Sequence, residues 1–316
     1  MTVSTLAEST REWEQLDTLK ASIFVDLDTL SAEVDGTRIE APSIAELRTQ
    51  LAGVIYLRLH TRHDGSIESA SRPAGVGDLT ERLAAAIPHR TIQQAAIDTA
   101  VPEVTVDGND HQAVRIEGLN VLAPVEGLVR DADGQLIGVQ TPSWRTRTTP
   151  GYLLAIGDKP VAAGGIARLY IPCGNASDAL VLWPRLLDAL SLARFGYQIK
   201  CLSDSAAFPR SDAIVAYVSA ADLPQAIEHI RNLHAELGTQ LSLFAQPLPG
   251  GIGFAEEPSD PRPSYAGLSF GQHRSRVLAE AFIRSAVHGE PIAAAWNTEA
   301  RAALIDPQAP GRNLRD

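Results

Sequence analysis

The run Ile166-Ala167-Arg168-Leu169-Tyr170-Ile171, followed after a helical segment by Tyr197-Gln198-Ile199-Lys200-Cys201-Leu202, decides the fold. Both runs are apolar with polar side chains at alternate positions, which reads as two strands. Alternation places Arg168 and Tyr170 on one face of the first strand and Leu169 and Ile171 on the other. In the second strand Lys200 shares its face with Gln198. If the strands are neighbours with matching faces, Arg168, Tyr170 and Lys200 converge on one patch, a cation pair beside a phenol. Lys200 is also one of only three lysines in the chain, with Lys20 and Lys159. An ammonium in such a run is costly unless it is paired, snorkels to solvent or loses its proton.

Working outward, residues 178–193 read as the helix between these strands. A strand over 213–218, a helix over 223–237 and final helices over 270–288 and 291–304 follow. Two helix starts are marked by a capping residue with Gln three positions on, Asp222-Leu223-Pro224-Gln225 and Ser269-Phe270-Gly271-Gln272. Upstream, residues 4–21 predict a polar helix and 23–27 a strand, and Asp35-Gly36 predicts a hairpin turn. A helix over 43–59 starts at an N-cap serine, and another over 78–99 is interrupted at Pro88. From Pro102 short antiparallel strands prevail. The Thr/Arg/Pro-rich connection 141–150 divides an N-terminal α+β region, 1–148, from a C-terminal region, 149–316. Strands and helices in this order predict an α+β fold with a mixed, largely antiparallel sheet and flanking helices.

The chain has 316 residues, 45% hydrophobic and 21% charged, with a formal net charge of -11. That balance argues against a nucleic-acid or anionic membrane partner. The start of the chain lacks an apolar signal core and no stretch reaches membrane-spanning length, so a cytoplasmic protein is expected. Two cysteines, Cys173 and Cys201, read as core thiols. The histidines lack metal-binding spacing, so no metal is expected. Gly250-Gly251-Ile252-Gly253 lacks the lysine of a phosphate loop and reads as a loop that passes close to something. Gly267-Leu268-Ser269-Phe270-Gly271 matches a nucleophile-elbow string without the buried strand that must precede it, so Ser269 reads as a helix cap. Asp204 and Asp212 read as turn or capping residues. In the helix after Ser269, Arg274 falls on the apolar stripe of Phe270, Val277, Leu278 and Ala281, with His273 at its edge. An arginine there wants an anion, either a ligand or an internal carboxylate.

Together, Arg168-Leu169-Tyr170, Phe195 to Lys200, Pro209-Arg210-Ser211-Asp212-Ala213, Tyr217, Pro249 to Pro258 and Ser269 to Arg274 resemble the HopA-type effector domain family over residues 152–287. Members occur as injected effectors of plant pathogens and as stand-alone proteins in gene clusters for class V lanthipeptides and thioamitides. The resemblance implies a lyase that eliminates phosphate from phosphoserine or phosphothreonine of a ribosomal precursor peptide, leaving dehydroalanine or dehydrobutyrine. A base must take a weakly acidic α-proton, which suits a neutral Lys200, and repulsion from Arg168 or Arg210 favours the neutral amine. Arg168, Arg210 and Arg274 would hold the phosphate. Phosphothreonine lyases of enteric effectors are similar in the order of base lysine, phosphate-binding arginine and tyrosine, repeated here by Lys200, Arg210 and Tyr217 as a substrate contact. Their acid histidine is missing. Either Tyr170 or His273 donates the proton, or no acid is needed. No kinase motif is present, so a separate Ser/Thr kinase partner is expected, either as a transient partner or as a heterodimer docked on the N-terminal region, and no cofactor is required. The competing readings are a phosphopeptide-binding or kinase-activating subunit without catalysis, and a type III effector.

Overall fold

The structure, a computed structural model, describes residues 19–63, 77–99, 101–231, 233 and 240–315. Most of the helix expected over 4–21 lies outside the described residues. Asp35 and Gly36 both take left-handed backbone, φ 45° and 75°, as a two-residue hairpin turn requires. They join β2 (Ser31–Val34) to β3 (Thr37–Glu40), and β1 (Ile23–Asp26) completes a three-stranded antiparallel sheet. Helix α1 (Ile44–Ile55) starts where the Ser43 side chain accepts the Glu46 amide, and it buries Leu47, Leu51, Val54 and Ile55. It runs directly into a π-helical turn, Tyr56–Thr61.

The helix expected over 78–99 is shorter than its sequence suggested. α2 (Thr80–Ala85) ends before Pro88, and β4 (Thr91–Ala95) follows, with Ile92 buried between exposed neighbours in a period of two. β5 (Ile97–Asp98), β6 (Val104–Val106), β7 (Asn109–Ile116) and β8 (Leu119–Pro124) make a second small sheet. β4 joins β10 (Leu136–Pro142) and β9 (Leu128–Arg130) in a third. These two sheets enclose a small core around Val114, Leu136 and Val139.

The connection 141–150 contributes β11 (Trp144–Arg145), the edge of a seven-stranded sheet. That sheet also holds β12 (Tyr152–Ile156), β13 (Ile166–Cys173), β14 (Tyr197–Leu202), β15 (Arg210–Ser219), β16 (Gln246–Leu248) and β17 (Ile252–Glu256). Its order is β11-β12-β14-β15-β13-β17-β16, with every ladder antiparallel. The two strands read first from sequence therefore face the same way but are not adjacent, because β15 lies between them. β15 is buried along almost its whole length, as a central strand must be.

One face of this sheet packs on α3 (Ala176–Leu192), capped by the Asn175 side chain, and on α4 (Leu223–Ile230). Asp222 does not cap α4 with its carboxylate, which instead accepts the Ser219 hydroxyl at 2.6 Å. The part of the expected 223–237 helix beyond residue 233 lies outside the described residues. The opposite face packs on α5 (Phe270–His288), begun by the Ser269–Gln272 capping box, with α6 (Ile292–Ala302) behind it. α1 lies against α5, so residues of the N-terminal region share this core. The Gly250 loop is the β16–β17 turn, and a Cβ on Gly250 would come within 2.4 Å of the Arg231 carbonyl oxygen. No helix among the described residues is long and apolar enough to cross a membrane.

Candidate functional site

Residues paired across antiparallel strands project to the same face, so the register of β13, β15 and β14 composes the site. Arg168 lies opposite Tyr217, and Tyr217 opposite Gln198. In the next row Tyr170 lies opposite Val215, and Val215 opposite Lys200. Above this face is a cavity of about 710 Å³, walled by Tyr56, Tyr152, the 148–150 turn and the loop that leads into α5. Lys200, Arg168, Arg210 and Tyr217 all line it. Of the patch expected from alternation, Arg168 and Lys200 line this one cavity from strands separated by β15, whereas Tyr170 does not line it.

The Lys200 Nζ stands 4.2 Å from the ring centroid of Tyr152 and 5.9 Å from that of Tyr217. Among the described residues no hydrogen bond or ion pair holds the ammonium. Both guanidinium groups beside it are paired. Arg168 donates through Nε to Glu257 Oε2 at 2.8 Å and through Nη2 to the same oxygen. It also lies over the Tyr217 ring at 5.3 Å. Arg210 grips Asp212 with two bonds, 2.7 Å and 2.8 Å, and donates to the Tyr56 hydroxyl at 3.4 Å. The two pairs differ in kind. Glu257 is 41% exposed, whereas the Asp212 side chain is 5% exposed and also accepts the Tyr152 hydroxyl at 3.0 Å.

Burial works to raise the Asp212 carboxyl, but the charge and hydrogen bonds of Arg210 outweigh it and hold the group well below the usual carboxylate range. Burial pushes the Tyr56 phenol up to about 12, with Asp212 adding and Arg210 opposing. Asp212, read from sequence as a turn or capping residue, is in fact a strand residue. It shares a face with Arg210 two positions earlier, a spacing that could have shown the pair.

Three expected roles are corrected. Arg274 does not line the cavity. It is fully buried and donates to the Pro310 carbonyl at 2.7 Å, to Asn313 Oδ1 at 3.2 Å and to His273 Nδ1 at 2.8 Å. Its partners are neutral acceptors, so it serves the packing of the C-terminal segment and has no phosphate to hold. His273 cannot supply a proton as imidazolium. A guanidinium only donates, so Nδ1 must accept from Arg274 and Nε2–H faces Asp260 Oδ2 at 3.0 Å. Burial, reinforced by Arg274, pulls this imidazole down to about 4. Tyr170 lies beneath the floor, buried against His60 and Phe270, and does not reach the cavity.

Sequence reading missed Tyr56, Tyr152 and the buried His60. His60 bonds Ser242 Oγ at 2.8 Å through Nδ1 and packs against Tyr56, Tyr170 and Phe270. Tyr56 meets Arg210 from 154 positions away, and no local pattern marks it. Among the described residues no group of three or more His, Cys, Asp or Glu could hold a metal ion.

No curated protein matches the chain. Two similar solved structures are effector proteins of Pseudomonas syringae, one from pathovar tomato strain DC3000, 19% identical with a TM-score of 0.39. The other, from pathovar syringae strain 61, is 18% identical with a TM-score of 0.40. Each alignment covers 52% of this chain and 63% of the effector, so the chain spans less than two thirds of either. The sequence profile of the HopA1 effector protein family matches residues 143–312, more than half of the chain and the whole of the seven-stranded sheet. The matched residues therefore include the sheet that carries Lys200, Arg168 and Arg210, and the chain belongs to the HopA1 effector protein family.

Proposed function

We propose that this protein is a phosphoserine/phosphothreonine lyase that converts residues of a ribosomal precursor peptide to dehydroalanine or dehydrobutyrine, as in class V lanthipeptide or thioamitide biosynthesis. A separate kinase supplies the phosphopeptide. The observation that carries the reading is Lys200, an unpaired ammonium within a cavity that also presents two guanidinium groups. A tetrahedral dianion seated between Arg168 and Arg210 would place its α-carbon near Lys200, and forked donors would take up the charge that develops on the leaving oxygens. Arg168 can exchange partners, since the exposed Glu257 can swing into solvent as phosphate arrives. Arg210 stays fixed by the buried Asp212. Tyr217, whose ring lies beneath Arg168 and Lys200, shapes the substrate side.

A non-catalytic clamp for phosphopeptides uses the same cations, and turnover separates the two. The purified protein is incubated with a phosphoserine peptide and mass is followed for loss of phosphoric acid. Lys200→Ala is expected to abolish elimination while phosphopeptide affinity stays close to wild type, because the arginines remain. Undiminished elimination in Lys200→Ala would remove the base assignment, and intact phosphopeptide with the wild-type protein, kinase included, would favour the clamp.

A further inference from the structure

Elimination from a dianionic phosphomonoester expels fully ionised phosphate unless a proton reaches the bridging oxygen as the C–O bond breaks. Resting on the lyase reading above, the site needs one O–H or N–H free to point into the cavity. His273 has both ring nitrogens committed, to Asp260 and Arg274. Tyr152 gives its proton to Asp212. Tyr170 does not reach the cavity. Three phenols remain on the wall, Tyr265, Tyr217 and Tyr56. The Tyr265 ring is engaged by Arg262 and Arg276, at 4.0 Å and 4.7 Å, and not by the cations that would hold the phosphate. The Tyr217 ring is covered by Arg168 and Lys200, which puts it on the side of the base. The Tyr56 oxygen accepts from Arg210 Nη2, a group that only donates, so the phenolic hydrogen is directed elsewhere.

We propose that Tyr56 is the general acid that protonates the leaving phosphate oxygen. Lys200, once it has given up its own proton, takes the α-proton, the C–H electron pair forms the C=C bond, and the C–O pair departs with the bridging oxygen. That oxygen receives the Tyr56 proton, so the products are the dehydrated peptide, hydrogen phosphate dianion, lysine ammonium and a phenolate. Arg210 faces the phenolate and is placed to stabilise it, and solvent restores both groups between turnovers. Because burial pushes the phenol up to about 12, its proton affinity approaches that of trianionic phosphate, and the transfer is close to balanced. Tyr56 comes from the π-helical turn after α1, a conformation that recurs at functional sites, and lies outside the family match at 143–312. The N-terminal region on this view completes the active site.

The test compares wild type with Tyr56→Phe on two peptides that differ only in the leaving group, phosphoserine and O-sulfoserine. Sulfate departs without needing a proton. For the phosphopeptide kcat is expected to fall about 10²- to 10³-fold, the loss of an acid catalyst. KM, inorganic phosphate affinity and melting temperature stay near wild type, and any sulfate elimination keeps its wild-type rate. An unchanged phosphate kcat overturns the assignment, as do equal losses on both peptides or a parallel loss of phosphate binding, either of which marks a structural tyrosine. A leaving-group-dependent loss in Tyr217→Phe instead moves the role to that phenol. If sulfate is not turned over, the split between kcat and binding on the phosphopeptide decides. If wild type eliminates neither group, the lyase reading itself fails and this assignment falls with it.

Discussion

Arg274 sits at zero exposure, and burial pulls its guanidinium down to about 10, still a cation at neutral pH. What keeps it there is a set of acceptors, the Pro310 carbonyl, Asn313 and the imidazole of His273. Arg274→Met fills similar volume but leaves those acceptors buried without donors, at about 1–3 kcal/mol for each such group. The expected outcome is a variant less stable by roughly 3 kcal/mol or more in urea melts, whose affinity for inorganic phosphate, measured below its melting point, equals wild type. A loss of phosphate affinity without a loss of stability would return Arg274 to the binding site. The apolar stripe made this arginine visible as an anomaly in the sequence. Its partners were not legible, because they arrive from a segment 36 and 39 positions later. Arg168 and Lys200 were legible for the opposite reason, since period-two alternation alone fixes the face on which a strand side chain stands. The charge state of the site was not, because Glu257 and Asp212 meet the arginines through sheet register and a local spacing that resembled a turn.

Helix α5 carries a second lesson in how elements position the cavity wall. Its Gly271 belongs to a string that mimics a nucleophile elbow, yet Ser269 spends its hydroxyl on the Gln272 amide. Gly271 is required by packing. A Cβ there would lie 2.1 Å from His60 Cδ2 and 2.3 Å from Nε2. The His60 ring cannot swing aside, being enclosed by Tyr56, Tyr170, Phe244 and Phe270. Gly271→Ala is therefore expected to cost about 1–3 kcal/mol through overpacking. It should also lower turnover, since the π-helical turn that bears Tyr56 must shift. Gly53→Ala in α1 makes the internal control. It meets nothing within 4 Å, and replacing a helix glycine there should stabilise by about 0.5–1 kcal/mol. Thermal melts of the two variants should move in opposite directions. Equal shifts would mean that the His60 contact does not bear on the glycine. The Asp35-Gly36 turn, the Ser43 cap and the Ser269 capping box were all readable because each is local. The strand at Thr91–Ala95 was misread because a helix-like run continued past the proline that ended it.

At the scale of the whole molecule, two imidazoles are stored uncharged in the shared core, and this sets the response to acid. Burial pulls His60 down to about 4, against the opposing pull of Asp212, and His273 reaches about 4 for the same leading reason. In the unfolded chain both would titrate near 6.5. Between pH 6.5 and 4 the unfolded state therefore binds protons that the folded state refuses, so stability rises with pH across that window and is lost as the solution is acidified. For His60, fully buried, the full window is worth on the order of 3 kcal/mol. Asp212 acts further down. Its depressed carboxyl stabilises the fold above the ordinary carboxylate range, and that contribution drains away as pH falls through its folded value. Loss of stability should thus begin near pH 6.5, above the ordinary carboxylate range. Urea midpoints measured from pH 7.5 down to 4.5 are expected to give a slope near pH 5 equivalent to about two protons taken up on unfolding. A slope below one proton would mean that the imidazoles are charged in the fold. His273 would then regain an acidic proton, and the case for Tyr56 as the sole proton donor would have to compete with it.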